Sequence, residues 1–159
     1  MTLQDNAAPI SVERLASAED LDGVLAIEDA SFNNPTTRAW YEAELQRPEI
    51  CFIYVLRTAE VPVAAFCAFW LVGEQAHINQ LAVRPDLRGR GYGRQLIAAI
   101  LAEAAHLGAT SLTLEVRESN IPALRLYERT GFSREAVRQN YYTNPVEHAL
   151  ILGCKIDAV

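Results

Sequence analysis

The sequence predicts one α/β domain in which a mixed sheet of about seven strands packs against four helices. A strand-like run at residues 78–83 is followed by a glycine-rich turn, a long helical pattern and a second strand-like run at residues 110–116. A strand–helix–strand order of this kind joins two parallel strands by a right-handed crossover. Apolar runs on both sides of this unit are separated by short turns, which is typical of antiparallel strands. The sheet is therefore predicted to be mixed.

The first half of the chain is predicted to hold two helices and four strands. Residues 1–8 are polar and predict a flexible leader, and alternating apolar residues between positions 10 and 15 predict the first strand. Ser17 is predicted to cap the first helix and Thr36 or Thr37 the second, because hydroxyl oxygens accept from the free N–H groups of a first helical turn. The next strands are predicted at residues 51–56, 61–72 and 75–83.

The second half is predicted to continue with the long helix, a strand, a fourth helix and a closing pair of strands. Apolar residues recur at helical spacing after the glycine-rich turn, and Gly108 is a suitable stop for that helix. In the strand at residues 110–116 the apolar residues share one face, so Glu115 lies on the other. Asn120 is predicted to cap the fourth helix. The closing antiparallel strands are predicted at residues 132–138 and 146–155.

The composition is that of one globular domain spanning residues 1–159. Half of the residues are apolar and 21% are charged, which allows a hydrophobic core of ordinary size. The formal net charge of −6 argues against nucleic acid as a partner. No apolar run is long enough to span a bilayer, and the first residues lack the basic and apolar regions of a signal peptide. We therefore expect a cytoplasmic protein without a membrane partner.

The three cysteines do not form a recognisable disulfide or zinc pattern. Cys51, Cys67 and Cys154 are far apart and odd in number, and each lies in an apolar strand-like run. Such cysteines are typical of buried thiols in a reducing compartment, and a thiol nucleophile is the weaker alternative. No metal ligand set is predicted.

The turn before the long helix has the features of an anion site. The first turn of a helix leaves N–H groups unpaired, and the helix dipole favours negative charge there. Glycine allows a ligand to approach the backbone closely, and guanidinium groups suit phosphate. The glycines of the turn are Gly89, Gly91 and Gly93, and the neighbouring arginines are Arg88, Arg90 and Arg94. A pyrophosphate is therefore the predicted ligand.

Other interpretations of this turn fit less well. A Walker A loop requires GxxxxGK[ST], which the chain does not contain. The dinucleotide fingerprint G-x-G-x-x-G would need glycine where Arg94 stands. A basic surface turn without a ligand remains the alternative. The pattern that fits is R-x-x-G-x-G, from Arg88 to Gly93.

Glu115 and Tyr127 are the candidate acid–base residues. A carboxylate near the end of an otherwise apolar strand is unusual, and the alternative for Glu115 is a salt bridge with Arg117 or Arg84. Tyr127 shares a helical face with Asn120, and its alternative role is that of a core aromatic with its hydroxyl at the rim. The histidines His77, His106 and His148 are scattered, and each is expected to be an ordinary surface or core residue.

Three segments resemble a known family. The pattern at residues 88–93 resembles the coenzyme A signature of the GNAT N-acetyltransferases. The segment LEVRESNIPALRLYERTGF, residues 114–132, resembles bacterial RimI-type acetyltransferases, which acetylate the N-terminal amine of a ribosomal protein. Residues 140–142 resemble the NYY segment of the same enzymes. Two regions depart from that pattern: residues 32–37 replace a Phe-Pro-Trp type segment, and the proline that usually follows the two tyrosines is absent.

The resemblance implies a GNAT fold with acetyl-CoA as the acyl donor. It implies that Glu115 deprotonates the acceptor amine, directly or through water, and that Tyr127 protonates the departing sulfur. It also implies that strand backbone bonds the pantetheine arm and stabilises the oxyanion. The implied donor-binding residues are Leu81, Ala82, Val83, Arg88, Gly89, Arg90, Gly91, Tyr92, Gly93, Arg94 and Asn120.

The acceptor implied by the resemblance is a protein or peptide N-terminus, such as that of a ribosomal protein. The candidate acceptor-binding residues are Phe32, Pro35, Tyr141 and Tyr142. The same chemistry on a small-molecule amine or a lysine side chain is the first alternative. A non-catalytic module that binds CoA is the second, and the presence of both Glu115 and Tyr127 argues against it, since binding alone requires neither. No sequence feature indicates an oligomeric state.

Overall fold

The computed structural model describes residues 9–157, so the predicted leader lies outside the described part of the chain. Within these residues, seven strands and four helices follow the predicted order. The strands are β1 Ile10–Arg14, β2 Cys51–Thr58, β3 Ala65–Val72, β4 Gln75–Val83, β5 Ser111–Arg117, β6 Ser133–Tyr142 and β7 Glu147–Lys155. The helices are α1 Ala18–Ser31, α2 Arg38–Leu45, α3 Tyr92–His106 and α4 Ile121–Arg129, and a 3₁₀ turn spans Pro85–Leu87.

The strands form one sheet in the order β1-β2-β3-β4-β5-β7-β6. β4 and β5 are parallel and are connected through α3, whereas the other neighbouring strands of the described chain pair antiparallel. The predicted mixed α/β fold is therefore confirmed.

Local capping explains where the helices begin. The side chains of Ser17, Thr37 and Asn120 each accept a hydrogen bond from the N–H three residues further on, which satisfies a free donor of the following helix. Of the two threonines predicted as the second cap, Thr37 is therefore the cap. α3 differs, because Gly91 stands at its cap position and provides no side-chain acceptor.

Two strand boundaries differ from the prediction for physical reasons. β3 begins only at Ala65, because the hydroxyl of Thr58 accepts from the N–H of Val61 at 3.0 Å and turns the chain there. β6 runs on to Tyr142 through a region predicted as a loop. An irregularity after Arg138 interrupts its pairing with β7, and the pairing resumes at Tyr142.

The sheet separates two hydrophobic clusters. The α3-side cluster contains Leu96, Ile97 and Ile100 of α3 packed with Leu112 and Leu114 of β5. The α1-side cluster contains Val24, Ile27 and Tyr41 of α1 and α2 packed with Ile53 and Phe66 of the sheet. Each face of the sheet is therefore covered by its own helices.

A bulge in β4 shifts the alternation of its side chains by one residue, so that positions before and after it of the same parity point to opposite faces of the sheet. Gln80 and Ile78 pair with adjacent residues of β3, so Asn79 is an extra residue on β4. Before the bulge Ile78 belongs to the α3-side cluster, and after it Ala82 belongs to the α1-side cluster. Gln80 is consequently turned toward α1.

β4 and β5 pair along only part of their length. The paired positions run from Gln75 with Ser111 to Ile78 with Leu114. Beyond them, β4 continues to pair with β3 and β5 continues to pair with β7. The two central strands therefore part and leave an opening in the middle of the sheet.

Replacing Gly23 by alanine is expected to destabilise the fold, although alanine is the better helix former. A Cβ at Gly23 would lie 2.7 Å from Cγ2 of Val63. Overpacking costs roughly 1–3 kcal/mol, which exceeds the gain of about 1 kcal/mol in helix propensity. Urea unfolding should show a lower free energy of unfolding for Gly23→Ala than for the wild-type protein. When Val63→Ala has removed the clash, adding Gly23→Ala should cause no such decrease. A more stable single variant would contradict this packing.

Candidate active site

A cleft of about 390 Å³ opens where β4 and β5 part. Its walls come from these two strands, the end of α1 and the loop after it, α4 and the end of β6. The lining includes Phe32, Asn33, Asn34, His77, Asn79, Gln80, Leu81, Glu115, Arg117, Asn120, Tyr127, Tyr141 and Tyr142. The opening therefore brings both predicted acid–base residues together with three of the four predicted acceptor residues.

Glu115 presents its carboxylate to the cleft from β5. The side chain is 16% exposed, and Oε1 accepts a hydrogen bond from Nη1 of Arg138 at 2.8 Å. The salt bridge that the sequence offered as the alternative for Glu115 is therefore present, but its cation is Arg138, whereas Arg117 and Arg84 are both paired with other carboxylates. A side-chain hydrogen bond with Glu115 also raises the pKa of the neighbouring Tyr141 hydroxyl. Because the Arg138 side chain is 53% exposed, solvent screens the ion pair.

Tyr127 reaches the cleft from α4, on the opposite side of the sheet. The residue is 7% exposed and belongs to the α3-side cluster, where its ring meets that of Phe132 edge to face at 5.5 Å. Burial raises the pKa of the Tyr127 hydroxyl, so the group keeps its proton at neutral pH. No described residue forms a hydrogen bond with this hydroxyl. Tyr127 is thus a core aromatic residue whose protonated side chain also lines the cleft.

The glycine-rich turn places open backbone beside the end of β4. Gly89 and Gly91 adopt left-handed conformations, with φ of +78° and +84°, which glycine tolerates. A Cβ at Gly89 would meet nothing within 4 Å, and one at Gly91 would meet Nε2 of Gln95 at 3.9 Å. No side chain caps α3, so N–H groups of its first turn stay free. The turn has both the space and the donors that a pyrophosphate requires.

Two residues of this turn also have structural roles. Arg88 donates from Nε to the carbonyl of Val83 at 3.1 Å and from Nη2 to the hydroxyl of Ser31 at 3.0 Å. A Cβ on Gly93 would lie 3.0 Å from Cδ2 of Leu126. Glycine at this position is therefore explained by the close contact of α3 with α4 rather than by ligand approach alone.

The loop after α1 is bridged to the turn between β6 and β7 across one end of the cleft. Nδ2 of Asn33 donates to the carbonyl of Asn144 at 3.1 Å, and Nδ2 of Asn34 donates to that of Thr143 at 3.0 Å. Arg117 supports the same turn from β5 by donating to the Thr143 carbonyl at 2.9 Å. This end of the cleft is thus framed by two loops that are linked to each other.

Aromatic side chains line this end of the cleft. Phe32, Tyr141 and Tyr142 all face it, and the Arg117 guanidinium lies 4.5 Å above the Tyr142 ring. Burial raises the pKa of the Tyr142 hydroxyl, which therefore stays protonated. Pro35 does not line the cleft, because it lies in the segment that leads into α2.

The wall of the cleft formed by residues 31–34, which include the predicted acceptor residue Phe32, is called the acceptor wall. A buried carboxylate beneath this wall, that of Glu28, was not identified from the sequence. Glu28 is 0% exposed, and its oxygens accept from the Tyr41 hydroxyl at 2.5 Å and from the Thr36 N–H at 3.0 Å. Burial raises the pKa of Glu28. A signal existed, because Glu28 continues the apolar stripe of α1, four residues after Val24 and seven after Leu21.

Two polar residues near the point of parting, His77 and Asn79, also line the cleft without having been predicted to do so, as does Gln80 further along β4. Nδ1 of His77 lies 2.7 Å from Oγ1 of Thr113, and burial lowers the pKa of this histidine, so the imidazole is neutral at pH 7. Nδ2 of Asn79 is buried and has no hydrogen-bond partner among residues 9–157. Both residues lie next to the point where the strands part.

The cysteines take no part in the cleft. Cys51, Cys67 and Cys154 are free, and the first two are buried, where burial raises the pKa of their thiols. No cluster of three or more metal-ligating side chains occurs between residues 9 and 157. No helix in that range is both long and apolar enough to cross a membrane.

Comparison with known proteins points to one family. The profile of the acetyltransferase (GNAT) family matches residues 21–132, which are more than half of the chain. A Bacillus subtilis (strain 168) protein, provisionally named a ribosomal protein bS18-alanine N-acetyltransferase, is 34% identical over 140 residues, covering 87% of this chain and 91% of that protein. The ribosomal protein bS18-alanine N-acetyltransferase of Salmonella typhimurium is 39% identical over 101 residues, covering 62% of this chain and 68% of the relative.

A solved structure shows the same similarity across the whole fold. The crystal structure of the ribosomal-protein-S18-alanine N-acetyltransferase from Escherichia coli has a TM-score of 0.84 with this chain at 29% identity. The superposition covers 95% of this chain and 96% of that one. The similarity therefore extends well beyond the glycine-rich turn.

Proposed function

The chain belongs to the acetyltransferase (GNAT) family and is an N-acetyltransferase, and from this premise we propose that it transfers acetyl from acetyl-CoA to the N-terminal α-amine of a ribosomal protein. The relatives described above are named for the alanine of ribosomal protein bS18. The proposal treats residues 1–159 as one catalytic domain.

The main support is that Glu115 and Tyr127 border one cleft from opposite faces of the sheet. An acceptor amine that enters from the α1 side meets Glu115, and a thioester that lies along the α3 side meets Tyr127. The parting of β4 and β5 allows the two substrates to meet between these groups. A proton acceptor and a proton donor placed in this way suit acyl transfer to an amine.

The proposed reaction uses each group once. An amine attacks a thioester only in its neutral form, and Glu115, the one carboxylate among the described residues that line the cleft, accepts its proton directly or through water. As the C–N bond forms, the carbonyl π electron pair moves to oxygen, and the nitrogen of the tetrahedral adduct releases its second proton to water. The electron pair then returns from oxygen, and the C–S bond breaks. Tyr127 donates its hydroxyl proton to the sulfur, which leaves as the thiol, and it recovers a proton from water.

The acyl donor is proposed to be held mainly by backbone. Beyond Ile78, β4 has no partner on its β5 side, so residues 81–83 can bond a pantetheine arm as a strand would, and an N–H there can stabilise the oxyanion. The pyrophosphate is assigned to Gly89, Gly91 and the first turn of α3. Asn120 caps α4 through Oδ1, which leaves its Nδ2 for the arm.

The acceptor is proposed to enter between the linked loops as an extended peptide. The aromatic walls formed by Phe32, Tyr141 and Tyr142 can pack against its first residues, and exposed backbone can bond to it. Because the asparagine bridges narrow this end of the cleft, a small first residue is the best fit. The relatives are named for acetylation of an alanine, which is a small residue, and this supports a small first residue here.

Gly91→Ala is expected to weaken acetyl-CoA binding at least about tenfold, roughly 1.4 kcal/mol, because its Cβ would enter the space assigned to the pyrophosphate. Gly108→Ala is the matched control, since Gly108 is also left-handed, with φ of +92° and open space around it, at the other end of α3. Titration calorimetry measures both affinities. Equal acetyl-CoA affinity in the two variants would remove the pyrophosphate from this turn.

Glu115→Gln and Tyr127→Phe are each expected to lower kcat by roughly 10²–10⁴, the usual range for acid–base groups. Because burial raises the pKa of Tyr127, the loss in Tyr127→Phe should be of similar size at neutral and moderately alkaline pH. Glu118→Gln on an exposed turn and Tyr54→Phe on β2 are the controls and should keep wild-type rates. Near-normal turnover in both active-site variants would refute the assigned mechanism.

A peptide with a small, free N-terminal residue and an internal lysine is expected to be acetylated on its α-amine. An α-amine has a pKa of about 7.7–8.0 and a lysine of about 10.4, so at neutral pH roughly a tenth of α-amines, but fewer than about one lysine in a thousand, are neutral. A single carboxylate suffices as base for the first. Mass spectrometry locates the acetyl group, and a peptide with a blocked N-terminus is the control. Product found mainly on lysine would show that the acceptor is a side chain.

A further inference from the structure

Gln80 is a polar residue of the cleft that the proposed acid–base chemistry does not use. The bulge at Asn79 turns its side chain toward α1 and the loop after it. Its Nε2 donates to Oγ1 of Thr36 at 2.7 Å and to Oε2 of Glu28 at 3.4 Å. The Gln80 amide therefore links β4, which borders the cleft, to α1 and to the loop after α1.

Glu28 determines which way this amide points. Its Oε2 also accepts from the N–H of Thr36, and an ionised carboxylate has only acceptor oxygens, so Oε2 offers Gln80 an acceptor. An acceptor at this position selects the NH₂ group of Gln80 and excludes its carbonyl. The carbonyl oxygen of Gln80 is left on the other side of the amide, with no donor among the described residues. An amide turned the other way would place two oxygens against each other.

The Glu28 carboxylate is itself held in place. It is fully buried, and Oε1 accepts from the Tyr41 hydroxyl at 2.5 Å. No arginine, lysine or histidine of the described chain pairs with it. Removing a carboxylate from water costs several kcal/mol, and hydrogen bonds recover only part of that cost. A group that costs stability and also fixes the orientation of a cleft residue suits a positioning role.

We propose that the carbonyl oxygen of Gln80 binds the amino group of the acceptor, and that Glu28 is the positioning residue that directs this oxygen into the cleft. This inference rests on the proposed function, in which an α-amine enters from the α1 side. An amide oxygen accepts from an ammonium N–H and equally from a neutral amine N–H, but it does not take the proton at neutral pH. Gln80 therefore holds the nitrogen through the deprotonation that Glu115 performs.

The proposal predicts that Gln80 contributes to recognition of the amino group itself, and not to peptide binding in general. Two peptides are compared: one with a free N-terminal alanine, and one in which hydrogen replaces that amino group. Calorimetry measures their affinities for the enzyme saturated with CoA, which lacks the acetyl group and so prevents turnover. The wild-type protein should bind the amine more tightly. Gln80→Met, an unbranched side chain of similar length, should reduce that preference by about tenfold.

Three further variants separate positioning from stability. Glu28→Gln lets the residue-28 amide donate as well as accept, so Gln80 can turn over and the preference for the amine should fall part of the way. Tyr41→Phe removes one donor to Glu28 but leaves Oε2 and Gln80 in place, so it should lower Tm and keep the preference. Gln46→Met, at the exposed end of α2, is the matched control for the chemistry of the substitution. Acetyl-CoA affinity reports that each variant is folded.

Each outcome decides between distinct claims. If the wild-type protein does not distinguish the two peptides, the proposed peptide function fails, and the inference fails with it. If the wild-type protein prefers the amine and Gln80→Met keeps the full preference, the inference alone is overturned. Weaker binding of both peptides by the same factor in Gln80→Met would likewise overturn it, because that result indicates a purely structural role. Selective loss of the preference for the amine supports it.

Discussion

The extra residue at Asn79 is the constraint on which the rest of the site depends. It shifts the alternation of the β4 side chains, so that Ile78 packs toward α3 while Gln80 turns toward α1. The pairing of β4 with β5 also ends at Ile78. Backbone groups beyond that point need another partner, because unpaired buried N–H and C=O groups are costly. The same strand continues into the turn that contains Gly91. A free strand edge and the free N–H groups of α3 therefore lie next to each other.

A buried carboxylate without a cation needs explanation, and the contacts of Glu28 supply one. Burial raises its pKa, which reflects the cost of keeping a charge away from water. An apolar residue at this position would avoid that cost but would leave the Thr36 N–H without its acceptor, at about 1–3 kcal/mol for a buried group, and the Gln80 amide with Thr36 Oγ1 as its remaining partner. The cluster joins α1, α2, β4 and the loop after α1. Its clearest effect is therefore on the shape of the acceptor wall.

Local sequence signals were sufficient for most elements and for the turn before α3, and insufficient for the acceptor side. Caps, turn glycines and strand alternation act over a few residues, so they could be identified directly. The partner of Glu115 is Arg138, 23 residues away, and Asn34 contacts Thr143 across 109 residues. No local pattern specifies contacts at such separations. The bulge at Asn79 likewise lies inside a run whose apolar content predicts one uninterrupted strand.

The site is divided between the two faces of the sheet, and this division explains at which positions the sequence of this chain can differ from those of its relatives. The α3-side cluster supports Tyr127 and the glycine-rich turn, whereas the α1-side cluster supports Glu28 and the loop that follows α1. Substitutions at sites that share no contacts have nearly additive effects. Both departures from the RimI-type pattern, at residues 32–37 and after Tyr142, fall in the two loops that the Asn33 and Asn34 side chains link, where we propose that the acceptor binds. These loops can therefore change together, through their own hydrogen bonds, while the backbone that faces the acyl donor keeps its geometry.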